Sequence, residues 1–225
     1  MFCCYTEEHY ISSVKSELMN NKMKKKLLIK KLIDFETKIG KLFNEKKIRA
    51  PIHLYYGNER SIIEIFKKIK KNDWVLCSWR SHYQCLLKGV PEKKLEKSIL
   101  KGNSIALSFP EHKILSSAIV GGSLPISTGI ALALKLKKSK NKVYCFMGDM
   151  TSETGIAHEC IKFSQNFNLP IIFVIEDNDL SVCTETRLAW GVKKITYENK
   201  KSKFIKYYKY KNKYPHAGSG KRIQF

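Results

Sequence analysis

Two apolar runs constrain this chain more than any other feature: Lys142 to Met147 and Pro170 to Glu176, joined by a helix-patterned segment from about Glu153 to Asn168. Neither run alternates strictly between apolar and polar residues, which is the pattern of a strand covered on both faces. A strand, a helix and a second strand inside 35 residues form a βαβ unit, whose strands are parallel because the connection crosses over the sheet. The expected architecture is α/β, a parallel twisted sheet with helices on both faces.

The rest of the chain is read outward from that unit. Leu28, Leu32, Phe35, Ile39 and Leu42 recur at spacings of four and three, on one face of a helix from about Lys24 to Lys47. Ile62, Ile63, Phe66 and Ile69 mark a second amphipathic helix, and Trp74-Val75-Leu76-Cys77 reads as a short buried strand. Pro91 suits the first turn of a helix running to about Leu100. Residues 101–117 carry Gly, Asn, Ser and Pro with weak period and read as a loop, whereas the small residues of Gly121 to Lys138 suggest a slim helix that packs closely. Three regions are expected: an N-terminal tail over 1–23, an α/β domain over 24–191, and a basic C-terminal tail over 192–225 that covers a partner rather than its own domain.

Composition removes several function classes. The formal charge is +22 over 225 residues, yet only five of the 42 basic residues are arginine, the side chain favoured for base readout and phosphate forks. The lysines therefore read as a solvated surface, and nucleic acid is not an expected partner. Seven cysteines form no C-x-x-C pair, which argues against a zinc site or a disulfide framework. There is no run of about 18 apolar residues, and Glu7 and Glu8 stand where a leader would be basic and then apolar. A cytoplasmic protein without a membrane span is expected.

In open parallel sheets, ligands sit beyond the carboxyl ends of strands. Gly148 and Asp149 occupy that end of the first run and Asn178 that end of the second, so their side chains converge on one crevice. A carboxylate and an amide carbonyl are oxygen ligands of the kind magnesium takes beside phosphates. The turn from Gly148 to Met150 opens a helix whose free amides favour a diphosphate. The same residues also suit a helix cap at Asp149 and an ordinary turn at Asn178-Asp179, and the pattern by itself leaves both readings open.

Gly148-Asp149, a helix, then Glu176-Asp177-Asn178 resembles the thiamine-diphosphate fingerprint, written G-D-G, some two dozen residues, then N-N. Around it, Ile119-Val120-Gly121-Gly122-Ser123-Leu124-Pro125, Trp79-Arg80-Ser81-His82 with Lys88-Gly89-Val90-Pro91, and His53-Leu54-Tyr55-Tyr56-Gly57-Asn58-Glu59 are similar to segments of the alpha subunit of the pyruvate, branched-chain and acetoin dehydrogenase first components. The matches are collinear from about Leu32 to Trp190. Met150 replaces the third glycine, Asp177 replaces the first asparagine, and residues 101–117 are shorter than the family's loop.

The resemblance implies a thiamine-diphosphate-binding fold and a role for each matching position. Asp149, the side chain of Asn178 and the carbonyl of Leu180 would ligate Mg2+. Arg80 would reach the diphosphate, Trp79 stands where the family has a phosphate-contacting Tyr, and Gly148 with the amides of Met150 and Thr151 would meet the phosphates. The backbones of Ala118 and Val120 would face the aminopyrimidine ring, and His53 and His82 would be catalytic. The implied activity is that of an oxidoreductase subunit decarboxylating a 2-oxo acid and passing the product to a lipoyl carrier or an aldehyde. A beta-type subunit would supply the glutamate that activates the aminopyrimidine, in an α2β2 heterotetramer. The alternatives are the N-terminal half of a split transketolase and a noncatalytic basic binding protein on the same fold.

Overall fold

The structure, a computed structural model, describes residues 5–224, with side chains described from Met23 onward. Residues 1–4 of the expected tail lie outside that range; from Tyr5 the chain is already in α1 (Tyr5–Asn44), so the expected boundary at residue 23 falls inside a helix. Leu32, Phe35 and Ile39 turn one stripe of α1 fully into the core. Helices α2 (Glu59–Phe66), α3 (His82–Leu87) and α4 (Glu92–Leu100) pack on the same side.

The sheet consists of β1 (Trp74–Cys77), β2 (Ser108–Phe109), β3 (Ile114–Ser116), β4 (Val143–Gly148), β5 (Ile171–Asp177) and a last strand, β8 (Ile205–Lys209). Its order is β2-β3-β1-β4-β5-β8, parallel throughout except for the short antiparallel edge β2. Strand residues alternate between two cores. Val75, Cys77, Tyr144, Phe146 and Val174 face α1 to α4, while Leu76, Cys145, Met147, Phe173 and Ile175 face α5 (Ser123–Leu136) and α7 (Gly155–Asn166). Helices thus cover both faces, which is why neither apolar run alternates in sequence. The slim helix α5 returns the hydroxyls of Ser127 and Thr128 to its own carbonyls at Ser123 and Leu124, so both bury beside Ala131 with a partner. The five described cysteines are free, four of them buried.

Two segments depart from expectation. Residues 101–117 are not only a loop: β3 sits inside the sheet between β2 and β1, in register with β1 from Val75↔Ile114 to Cys77↔Ser116. Three residues are too few to show a period. The C-terminal segment, expected as a tail, builds this domain's own sheet: β8 adds to β5 from Phe173↔Ile205 to Asp177↔Lys209, and Ile195, Tyr197, Phe204 and Ile205 are buried in the core. Its strand is concealed in sequence by Lys206 and Lys209, which face solvent as suits an edge strand, and by tyrosines that bury rings while bonding through their hydroxyls.

Beyond β4 the chain makes the single turn α6 (Asp149–Ser152), after which Thr154 caps α7 by accepting from the Ala157 amide. Beyond β5 it makes a small hairpin, β6 (Leu180–Ser181) and β7 (Thr184–Glu185), followed by α8 (Thr186–Trp190). Among the described residues no helix is long and apolar enough to cross a membrane.

Candidate cofactor and metal site

The carboxyl ends of β1, β4 and β5 open into one crevice of about 110 Å³, lined by residues that follow all three strands. Gly148 and Glu176 are paired across β4 and β5, so Asp149 and Asn178, one and two residues further on, are delivered to the same floor. Asp149 is 1% exposed, and its Oδ2 has no hydrogen-bond partner. Burial pushes its carboxyl up to about 6, with the charge of Asp177 adding to the effect.

The Asn178 amide can be turned two ways. One way, its nitrogen donates to Asp149 Oδ1 at 3.3 Å and to the Leu180 carbonyl at 3.2 Å. The other way, its oxygen joins those two, and three oxygens converge with no donor among them. Such spacings approach the edge of a magnesium octahedron, about 3 Å for ligands at about 2.1 Å. The donor set therefore fits a hard divalent cation, and the unpartnered Oδ2 of Asp149 remains for it or for its water. Met150 is accommodated because its backbone is helical rather than left-handed, and its sulfur accepts from Trp190 Nε1 at 2.9 Å. Asp177 is accommodated by Arg187: burial would raise its carboxyl, but Arg187 and Tyr207 outweigh that and hold it below the usual range.

Arg80 lines the wall with Trp79. Its Nη2 donates to the His216 carbonyl at 3.4 Å, its guanidinium lies 5.7 Å from the Tyr55 ring centre, and its buried Nε has no partner. Val120, Met150, Thr151 and Leu180 also line the crevice, whereas Ala118 does not. The amides of the first turn of α6 have no earlier helical carbonyl to bond, which leaves them for a ligand.

The two histidines separate. His53 stands behind the wall, its Nδ1 2.6 Å from the His216 carbonyl and its ring packed on Trp79 and His216. Burial lowers its imidazole to about 4. His82, expected to be catalytic, does not reach the crevice: it is fully buried, with Nδ1 2.8 Å from Glu36 Oε2 and Nε2 3.0 Å from Ser104 Oγ. It joins α1, α3 and the 101–107 turn, with both ring nitrogens taken up by core partners.

Residues missed by sequence reasoning include Glu176, Tyr55 and, from the strap over residues 210–216, Tyr210, Asn212, Tyr214, Pro215 and His216, which line the crevice. Glu176 accepts from Tyr55 Oη at 2.6 Å, from Asn58 Nδ2 at 3.4 Å and from Tyr208 Oη. Burial pushes it up to about 7 against the pull of the Tyr208 and Tyr55 hydroxyls. Asn212 fixes the strap by accepting from the Tyr56 amide at 2.9 Å and donating to the Leu54 carbonyl at 3.2 Å.

Comparison with known proteins places this geometry. The pyruvate dehydrogenase E1 component subunit alpha of Rickettsia prowazekii is 31% identical over 79% of this chain and 54% of its own length. The alpha subunit of acetoin:2,6-dichlorophenolindophenol oxidoreductase from Bacillus subtilis is 29% identical over 67% of this chain and 48% of its own. This chain spans about half the length of these curated relatives. A solved structure described as a thiamin diphosphate-dependent enzyme, from Mycobacterium smegmatis, overlaps 51% of this chain and 19% of its own at 18% identity, with a TM-score of 0.37. The family described as the dehydrogenase E1 component matches residues 29–203, from within α1 to just before β8, and the chain belongs to that family.

Proposed function

We propose that the crevice holds thiamine diphosphate through Mg2+, and that the chain is the alpha-type, cofactor-anchoring subunit of an enzyme that decarboxylates a 2-oxo acid. The observation that carries this reading is the convergence of Asp149 Oδ1, the Asn178 side-chain amide and the Leu180 carbonyl, with Asp149 Oδ2 buried and unpartnered beside them. Those three residues would hold the metal. Arg80, with an unpartnered buried Nε, and the amides of Met150 and Thr151 would receive the diphosphate. The chemistry supplied by the bound cofactor is a thiazolium carbon that attacks the 2-oxo carbonyl and an electron sink for the departing carboxylate.

The chain's own residues bind, orient and exclude water. A carbonyl can only accept, so His53 Nδ1 carries the proton toward His216 and Nε2 is left as the acceptor. A ring lowered to about 4 by burial is neutral at neutral pH, so it holds the strap without adding charge beside Arg80. Glu176, a carboxylate within the crevice, has both oxygens engaged by Tyr55, Tyr208 and Asn58. The carboxylate that activates the aminopyrimidine is therefore assigned to a beta-type partner in an α2β2 assembly. Exposed Ile119, Val120, Leu180, Val182 and Trp190 give that partner an apolar surface beside the crevice. The acceptor of the product, a lipoyl carrier or an aldehyde, belongs to the same proposal.

The test is reconstitution. Carbon dioxide release from small 2-oxo acids is measured for the chain alone, for a beta-type subunit alone and for the pair, each with thiamine diphosphate and Mg2+. Turnover by the pair only is expected. Full turnover by the chain alone contradicts the shared site, and a pair that neither binds the cofactor nor turns over contradicts the whole reading.

A further inference from the structure

Beside the proposed metal crevice lie more acids than one metal needs. Ligating oxygens of Asp149, Asp177 and Asp179 all lie within 4.8 Å of one another. They are not treated alike. Asp149 Oδ2 is buried without a partner, whereas Asp177 has both oxygens occupied and a side chain with no exposure. The Asp179 amide donates to Asp177 Oδ1 at 2.9 Å and the Tyr207 hydroxyl to Asp177 Oδ2, but the charge that offsets both acids comes from one residue of α8. Arg187 Nη2 donates to Asp177 Oδ2 at 2.6 Å and Nη1 to Asp177 Oδ1 at 3.3 Å, the two-pronged pairing that a guanidinium allows. The same Nη1 reaches Asp179 Oδ1 at 2.6 Å, and the same Nη2 reaches Glu198 Oε2 at 2.7 Å.

We infer that Arg187 is the positioning residue of the metal site: it withholds Asp177 and Asp179, so that Asp149, Asn178 and the Leu180 carbonyl alone are presented to the cation. The inference rests on the reading of the crevice as a magnesium site. Asn178 stands between the two clamped acids in sequence, and fixing both neighbours fixes the backbone that carries its side chain. The clamp is itself anchored. The Thr186 amide donates to the Asp179 carbonyl at 3.1 Å, the Tyr210 amide to the Asp177 carbonyl at 2.8 Å, and Lys209 of β8 holds the second oxygen of Glu198 at 2.9 Å. The loop after β5 is thereby tied to α8 and to the edge strand. Lysine could not replace Arg187, because a single ammonium cannot pair with both oxygens of Asp177 while reaching Asp179 and Glu198. The arrangement also gives the acid at position 177 a physical account: an aspartate tolerated beside a metal because its charge is already spent on a guanidinium.

The probe is Mn2+ alone, titrated into the purified full chain and followed by the electron paramagnetic resonance signal of the free ion. Wild type is expected to bind one ion, with at least about tenfold loss in Asp149→Ala. Arg187→Gln removes a positive charge and the ion pairs to Asp177 and Asp179, leaving Asp177 with only the neutral donors of Tyr207 and the Asp179 amide, so it is expected to bind Mn2+ at least about tenfold more tightly or to take up a second ion. Arg187→Gln with Asp177→Asn is expected to return toward wild type, a reversal that loss of folding could not produce. Asp177→Asn alone, with Arg187 in place, is expected to change the affinity by less than about twofold. A folded Arg187→Gln chain, checked by circular dichroism, that binds Mn2+ as wild type or more weakly overturns the inference. So does a tenfold loss in Asp177→Asn, which stands as the deciding measurement if Arg187→Gln does not fold. Unchanged binding in Asp149→Ala would instead overturn the metal site itself, so the two failures are distinguishable.

Discussion

Tyr55 donates its hydroxyl to Glu176 Oε2 at 2.6 Å, joining the segment before α2 to the end of β5 across 121 residues of sequence. The same hydroxyl accepts from Gln84 Nε2 at 2.7 Å, so removing it strands two buried polar groups at once. Tyr55→Phe is expected to cost about 1–3 kcal/mol for the groups left unpaired. Denaturant unfolding measures this, and a cost below about 0.5 kcal/mol, the level of an uninvolved surface substitution, would contradict it.

Gly57 has a positive φ of 105°, and a Cβ placed there would lie 2.4 Å from the Lys211 carbonyl oxygen. Gly57→Ala must therefore both strain its own backbone and push away the strap that closes the crevice. A loss of about 1–3 kcal/mol is expected, with faster proteolysis between β8 and the C-terminus. An alanine variant with wild-type melting temperature and wild-type protease resistance would show that the strap does not depend on this contact.

What the sequence discloses and what it conceals follow from how local each feature is. β4, β5 and the crevice at Asp149 and Asn178 are legible because a buried strand is a continuous apolar run and its carboxyl end follows directly. β3 is not legible, since Ile114, Leu115 and Ser116 are too few to carry a period. β8 is masked because Tyr207 and Tyr208 bury aromatic rings but read as polar beside lysines. The wall of the crevice is built by pairings such as His53 with His216, 163 residues apart, which no local pattern encodes. His82 reads as a site residue from its motif, yet its ring meets Glu36 and Ser104, distant in sequence, which points to a structural role.

That assignment of His82 is testable. His82→Ala leaves Glu36 Oε2 and the Ser104 hydroxyl without their partner in the core. Stability should fall by about 1–3 kcal/mol, while the folded fraction binds thiamine diphosphate and Mg2+ with an affinity close to wild type. Normal stability with lost cofactor binding would restore His82 to the site.

His53 gives a pH dependence whose sign can be worked out. Burial holds the imidazole at about 4, below its ordinary 6.5. The folded chain therefore binds fewer protons there than the unfolded chain between those values, so this contribution to stability is fully present above about 6.5 and is lost as pH falls through 4. Melting temperatures measured from pH 7.5 to 4.5 should fall less steeply in His53→Gln, whose amide can still donate to the His216 carbonyl. Equal slopes in the two proteins would contradict a neutral buried His53.

The central claim is that Asp149 and Asn178 anchor a magnesium diphosphate. Its most direct measurement is calorimetric titration of thiamine diphosphate, in the presence and absence of Mg2+, into the chain assembled with its beta-type partner. Binding that requires Mg2+ and weakens by at least about a hundredfold in both Asp149→Ala and Asn178→Ala is the predicted result. Binding of equal strength in wild type and both variants, or binding indifferent to Mg2+, would contradict it.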